Sequence, residues 1–200
     1  MSNPWDERYA SEDYAFGTEP NDFLRAEAGR IARGNVLCMA DGEGRNGVYL
    51  AGLGHAVLSV DLSSVGLQKA EKLAAARGVQ IETRVADLAE WPIEAEHWDG
   101  IVSIFCHMPS ATRAQLHQRV VAGLKPGGVF ILEAYTPDQL AHDTGGPSTI
   151  DLLMNSAALE AELAGLDLVH NVQLERDVVE GSFHTGRAAV VQVVGIKPSD

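Results

Sequence analysis

The sequence predicts an α/β fold: a mostly parallel sheet of seven strands, with helices on both faces and an antiparallel hairpin at its C-terminal end. Three observations predict it. From Asn35 onward, short apolar runs alternate with segments of helical period. A glycine-rich turn, "ADGEGRNG" at 40–47, joins the first apolar run to the first helical segment. The last two strand-like runs are separated only by the turn-rich "VEGSFHTG", too short for a crossover helix, so they must pair as a hairpin.

The elements follow in order. About thirty residues before Asn35, carrying Trp5, Tyr9, Tyr14 and Phe16, are too few for a domain and too aromatic for a free tail. Residues 1–34 are therefore expected to form a helical extension that covers a ligand site, with the amphipathic "RAEAGRIARG" leading into the first strand. Residues 35–200 form the globular domain. "NVLCMA" is its first strand and "GRNGVYLAGLG" the helix that follows. "AVLSVD" is the second strand, and "SSVGLQKAEKLAAARG" the second helix, with a serine cap at its start and Gly78 at its end. "VQIETRVADL" and "WDGIVSIF" are the third and fourth strands; the helix "TRAQLHQRVVAGLKP" leads to the fifth, "GGVFILEAY". "DLVHNVQLERDV" and "GRAAVVQVVGIK" form the hairpin.

Composition narrows the partners. With 200 residues, 46% of them apolar, the chain can bury a single core. A formal charge of -13 with Lys and Arg scattered singly repels a polyphosphate backbone, which argues against nucleic acid. The polar, acidic start has no apolar leader-like stretch and the apolar runs are too short to span a bilayer, so a cytoplasmic protein without membrane contact is expected. Cys38 and Cys106 sit inside apolar runs as small hydrophobes. Cys106 and His107, being neighbours on a strand, point to opposite faces, and no metal-ligand spacing supports them.

The glycine loop is suited to a nucleotide, since backbone can approach closely and the helix behind it presents N–H groups. Asp61, 19 residues after Gly42, can take both ribose hydroxyls. By spacing alone NAD fits as well. Against it stand Asp41 at the lip of the loop, which repels a pyrophosphate and favours a cation, and Asp87 after the third strand, which can accept from an adenine amino group while Leu88 packs on the base. No second domain brings a substrate to a nicotinamide. A positively charged adenosine ligand is favoured.

These residues together resemble the class I S-adenosylmethionine-dependent methyltransferases, a Rossmann-like fold. "VLCMADGEGRNGVYLA" is similar to the family's first motif, "VDLS" to its ribose motif, "ADLAEW" to its adenine motif and "LKPGGVFILEAY" to the approach to its fifth strand. "WDERYASEDYAFGTEPNDFL", "GRN" and "GSFHTGRAAVVQVVGIK" are most similar to its tellurite-resistance and thiopurine methyltransferase branch. The resemblance implies S-adenosylmethionine as cofactor and S-adenosylhomocysteine as product. It implies a cofactor set of Ala40, Asp41, Gly42, Glu43, Gly44 and Asn46 in the loop, Asp61 and Leu62, Asp87 and Leu88, Phe105, and Tyr14 from the extension. The family's usual acid two residues before its first glycine is missing, Cys38 and Ala40 standing there, so Asp41 and Glu43 are expected to compensate by meeting the methionine ammonium or protein groups behind it. "FCHMPS" after the fourth strand lacks the pattern of base-amine methylases.

Methyl transfer from a sulfonium is an in-line displacement, for which the protein must align the reactants and exclude water. A thiolate, selenide or tellurium oxyanion needs no base, whereas a hydroxyl or amine does. His107 after the fourth strand and His184 in the hairpin are the candidate catalytic residues on the substrate side, and "AHDTGGPSTIDLL" is a candidate substrate lid. The function expected is methylation of a small molecule, with a soft S, Se or Te nucleophile as one acceptor class. The alternatives are a NAD-dependent oxidoreductase and a non-catalytic S-adenosylmethionine-binding protein.

Overall fold

The computed structural model describes residues 3–142, 144–181 and 184–199. Asp143 of the candidate lid and Ser182 and Phe183 of the hairpin turn lie outside the described residues. The strands are β1 (Asn35–Met39), β2 (Ala56–Asp61), β3 (Glu82–Val85), β4 (Trp98–Ile104), β5 (Leu124–Tyr135), β6 (Asp167–Glu180) and β7 (His184–Ile196). They form one sheet in the order β3-β2-β1-β4-β5-β7-β6. All pairs from β3 to β5 are parallel, and β7 runs antiparallel to both β5 and β6. The expected architecture is the observed one.

Alternation along the strands builds a core on each face of the sheet. Leu37 and Met39 of β1, Phe130 and Leu132 of β5, and Val191 and Val193 of β7 turn to one face. They meet Leu116 and Val120 of α5 (Ser110–Gly123) and Leu159 of α6 (Ser156–Glu162) there. Val36 and Cys38, Val129 and Ile131, and Val194 turn to the other, against Phe23 and Leu24 of α2 (Asp22–Glu27) and Leu50 of α3 (Arg45–Gly52). Phe23 thus anchors the extension in the core.

The helix ends follow their caps. Asn3 accepts from Trp5 N to start α1 (Pro4–Arg8), Asn21 from Leu24 N to start α2, and Ser63 from Gly66 N to start α4 (Ser64–Ala76). Several elements differ from expectation; α5 stops at Gly123, and residues 124–126, expected to end that helix, open β5 instead. β3 is only four residues long because it is the sheet edge, where Glu82 and Arg84 stay in water and short pairing suffices. The short α6, capped by Asn155, has too few turns to establish a period in the sequence.

α5 and α6 are clamped by buried charge. Arg113 Nη2 donates to Glu162 Oε1 at 2.7 Å, and His117 Nδ1 lies 2.7 Å from Glu162 Oε2. Burial pushes the Glu162 carboxyl up, but the hydrogen bonds from His117 and Arg113 outweigh it and hold it at about 2. An acid with a depressed folded-state pKa contributes stability that is present above its unfolded value near 4.5 and lost as pH falls toward 2. Glu162→Gln, which leaves Arg113 uncompensated, should cost about 3 kcal/mol at pH 7. Urea titration should read this as a lower midpoint with unchanged slope, and the gap from wild type should narrow as pH falls from about 4.5 to about 2. An unchanged midpoint at pH 7 would remove the clamp from the stability of the fold.

Candidate functional site

A cavity of about 550 Å³ opens at the carboxyl ends of β1, β2 and β4. This is the point where successive connections leave to opposite sides of the sheet, the place where open α/β sheets hold ligands. Two backbone features mark it. Ala40, directly after β1, and Phe105, directly after β4, both have positive φ, +49° and +54°. Each left-handed L-residue costs about 1–2 kcal/mol, so the two adjacent strand ends are held in this shape by what surrounds them.

The glycine loop is shaped from both sides. A Cβ on Gly42 would lie 2.6 Å from the Tyr9 hydroxyl oxygen, and one on Gly44 2.8 Å from Ala70 Cα of α4. Both glycines have positive φ. They let the loop sit against the extension and α4, while Ala40, Asp41, Glu43, Arg45 and Asn46 line the cavity.

Asp61, at the end of β2, is buried, and each of its oxygens is held by backbone: Oδ2 accepts from Gly42 N and Oδ1 from Ser63 N, both at 2.8 Å. Ser63, not Asp61, caps α4. Each carboxylate oxygen keeps a lone pair for a further donor. Burial pushes the Asp61 carboxyl up, opposed by these backbone bonds. Tyr9, buried beside Asp61, Glu43 and Asp41, has its phenol pushed up by burial and by those charges, so it stays protonated.

Of the two roles expected for Asp41 and Glu43, the structure shows the contacts with protein groups. Asp41 is turned inward, accepting from Ser59 Oγ at 2.6 Å and from Gly47 N at 3.3 Å. Glu43 is buried in an ion pair with Lys69 of α4. Asp41 is thus satisfied by protein donors, whereas Glu43 has the Lys69 cation at Oε1 only and its Oε2 is buried without a hydrogen-bond partner. Tyr14 is a correction. Its hydroxyl donates to Lys69 O at 3.1 Å and its ring lies 4.8 Å from the Lys69 ammonium, away from the cavity. The cation that pairs with Glu43 has captured it, and Phe16 lines the cavity instead.

Lys69 also ties down the extension, donating to Ser11 O at 2.9 Å and Asp13 O at 2.7 Å. Asp6 Oδ1 accepts from Ser63 Oγ at 2.6 Å, and Asn3 donates to Leu62 O. Trp5, Arg8 and Tyr9 of the extension thereby become cavity wall. Beyond Asp61, Leu62 is left 47% exposed, while Leu88 is buried and Asp87 exposed; all three line the cavity.

The other end of the cavity is aromatic. Phe105 stacks on Tyr135 at 4.6 Å, His107 lies parallel to Tyr135 at 5.6 Å and 13°, and His184 stands edge-on to Phe105 and Tyr135. Burial pushes both histidines down to about 4. His107 and His184 thus converge although 77 positions separate them. Tyr9, Arg8, Arg45 and Tyr135 lie within segments that carry the resemblance, but none was singled out as a site residue. Tyr135 sits at the end of β5, where its role could have been sought. Among the described residues, no group of three His, Cys, Asp or Glu side chains is placed to hold a metal ion.

Residues 36–128 match the family described as a methyltransferase domain. The fold is that of the class I methyltransferases. Sharing it, a solved structure described under the conversion of a disulfide bond into a thioacetal group during echinomycin biosynthesis aligns with TM-score 0.77 and 17% identity over 96% of this chain and 88% of its own. TehB from Haemophilus influenzae aligns with TM-score 0.72 and 17% identity over 96% of this chain and 65% of its own. A curated 2-heptyl-1-hydroxyquinolin-4(1H)-one methyltransferase of Mycobacteroides abscessus is 27% identical over 135 residues, 66% of this chain and 59% of that protein. The aligned stretch thus spans little more than half of that relative's length.

Within this methyltransferase fold, Asp41 makes the site's own stability pH-dependent. Burial raises its carboxyl from 3.8 to about 6, against the hydrogen bonds from Ser59 and Gly47. A raised folded-state pKa gives stability that is full below about pH 4 and lost as pH rises through about 6. The melting temperature of wild type minus that of Asp41→Asn should therefore fall by several degrees between those pH values. A difference that stays level would show that Asp41 ionises as it does in the unfolded chain.

Proposed function

We propose that this protein is an S-adenosylmethionine-dependent methyltransferase acting on a small-molecule acceptor. The observation that carries the proposal is the charge around the glycine loop: Asp41, Glu43, Asp61 and Asp87 all line the cavity that the loop opens into. With Asp41 turned to Ser59 and Glu43 paired with Lys69, a pyrophosphate placed there still meets the Asp61 and Asp87 carboxylates, whereas an adenosine bearing a sulfonium and an ammonium meets a favourable field. NAD is disfavoured on the same ground. Asp61 takes the ribose hydroxyls with its remaining lone pairs, and Leu62 and Leu88 hold the adenine, with Asp87 at its amino group. Arg8, a cation of the cavity wall, faces the methionine carboxylate, while Arg45 beside it is held by Glu180. Residues 1–34 act as the cofactor's cover, Trp5, Tyr9 and Phe16 lying over it.

When bound, S-adenosylmethionine supplies a methyl carbon on a positively charged sulfur, an electrophile that needs only an aligned nucleophile. The protein's part is to orient, to exclude water and to accept a proton where the acceptor carries one. The acidic surface supports a small acceptor over a nucleic acid. Two acceptor classes are favoured. The resemblance of the N-terminal segment and of "GRN" to the tellurite-resistance branch supports a soft S, Se or Te nucleophile. The curated relative, named for a hydroxyquinolone, supports a protic heteroaromatic.

Thermal unfolding in the presence of S-adenosylhomocysteine or NADH tests the cofactor. A ligand at about 100 times its dissociation constant adds about 2.7 kcal/mol, roughly 5–10 °C for a domain of this size. A shift with S-adenosylhomocysteine alone is expected; a shift with NADH alone would replace the methyltransferase proposal with an oxidoreductase. Asp61→Asn should weaken S-adenosylhomocysteine binding by about 1.5–3 kcal/mol, on the scale of hydrogen bonds to a charged group. Calorimetry showing equal affinity in a folded Asp61→Asn protein would take the ribose away from Asp61.

A further inference from the structure

Resting on the methyltransferase proposal and deepening it, we infer that the acceptor is a flat aromatic molecule carrying a hydroxyl, whose proton passes to His107 Nε2 as its oxygen is methylated. The first support is a fixed tautomer. His107 Nδ1 lies 2.9 Å from Leu152 O, and a carbonyl oxygen only accepts, so the ring proton of the neutral imidazole sits on Nδ1. Nε2 is left with a lone pair. It is buried in the cavity wall and reaches no donor in the protein. Unpaired buried acceptors are uncommon and are expected to be met by something that binds.

The second support is the wall around it. His107, Phe105 and Tyr135 present near-parallel rings, and His184 closes the set edge-on, with centroids 4.9 Å from Phe105 and 5.4 Å from Tyr135. Such a surface suits a planar ring system. The Tyr135 hydroxyl is also buried without a partner. Burial keeps it protonated, so it offers a donor to a second oxygen of the acceptor. Gly146 packs on the Tyr135 ring, where a Cβ would lie 2.8 Å from Cδ2, so the turn around it closes this end of the cavity.

The groups facing His107 are Arg113 of α5, Tyr135 of β5 and His184 of β7. None is an anion that would hold a proton on it, and burial keeps the ring neutral well below pH 7. So weak a base is sufficient for this step. As the acceptor oxygen's lone pair forms the new O–C bond, the remaining O–H becomes that of a protonated ether, a far stronger acid than an imidazolium. The proton moves to Nε2, the electron pair of the broken S–C bond stays on sulfur, and the imidazolium returns its proton to water when the product leaves. A thiolate would need none of this.

The test uses 2-naphthol and 2-naphthalenethiol, of one shape but differing in their need for a base, with the full chain and S-adenosylmethionine. Wild type should methylate 2-naphthol at a rate flat between about pH 6 and 9. His107→Gln should lose about 100-fold on 2-naphthol at pH 7 and recover roughly tenfold per pH unit toward the naphthol's own ionisation. On the thiol it should lose less than about tenfold. Binding supplies a second readout. By calorimetry with S-adenosylhomocysteine present, wild type should prefer 2,3-dihydroxynaphthalene to 2-naphthol by about tenfold, a contribution expected of one hydrogen bond, and Tyr135→Phe should abolish the preference. The inference is overturned if the wild-type rate itself climbs with naphthol ionisation, or if His107→Gln keeps the wild-type pH profile. It is also overturned if the thiol alone is methylated, or if neither probe binds while S-adenosylhomocysteine does. Failure to bind S-adenosylhomocysteine would instead remove the methyltransferase proposal, and this inference with it.

Discussion

The site depends on one carboxylate held by backbone. Asp61 accepts from Gly42 N and from Ser63 N, and these bonds join the end of β2 to the glycine loop after β1 and to the residue that caps α4. The loop cannot drift from the strand edge without leaving a buried carboxylate unsatisfied, at a cost of kilocalories. From this fixed point the rest is hung. Ser63 binds Asp6 of the extension, Glu43 of the loop binds Lys69, and Lys69 holds residues 11 and 13. The extension along the cavity wall is thereby tied to the same helix whose capping residue, Ser63, is held by Asp61.

A second set of buried charges ties the loop to the far side of the sheet. Arg45 donates to Glu180 of β6, which together with Glu133 of β5 receives Asn21 and Arg176. Asn21 also caps α2 and donates its own N–H to Asn46 of the loop. Burial pushes the Glu133 carboxyl up while Arg176 draws it down. Buried ion pairs cost so much desolvation that they are weak contributors to net stability. Their use here is positional: they fix where the hairpin sits relative to the glycine loop, and so where His184 stands relative to His107.

The architecture was legible in the sequence because it rests on patterns with a period. The alternation that sends Leu37 and Val36 to opposite cores, the glycines at their spacing, and the hairpin with no room for a helix are each local or nearly so. That Asp61, Asp87 and Leu88 line the cavity was legible from the strand order, Asp61 being the last residue of β2 and Asp87 and Leu88 following β3 by two and three residues. Tyr14 misled because ring type says nothing about which neighbour takes the ring, and Lys69 lies 55 positions away. Which of their two expected roles Asp41 and Glu43 take could not be read locally, because their protein partners, Ser59 and Lys69, come from β2 and α4. The positive φ of Ala40 and Phe105 carries no sequence signal at all, since glycine is the residue that normally announces that conformation.

The cavity is electrically divided, and the division bears on how two reactants share it. Toward the loop its wall is charged, holding Asp41, Glu43, Asp61 and Asp87 together with Arg8 and Arg45; toward β5 it holds rings and two histidines that burial keeps neutral. A cationic sulfur is favoured at the first end, and a neutral flat acceptor at the second. The developing reaction moves positive charge from the sulfonium across the acceptor oxygen to an imidazole. A wall already anionic on the acceptor side would bind the cation too far forward, and a histidine already protonated there would repel it. Burial of His107 among rings avoids both, and the tautomer set by Leu152 O leaves its lone pair ready before any acceptor arrives.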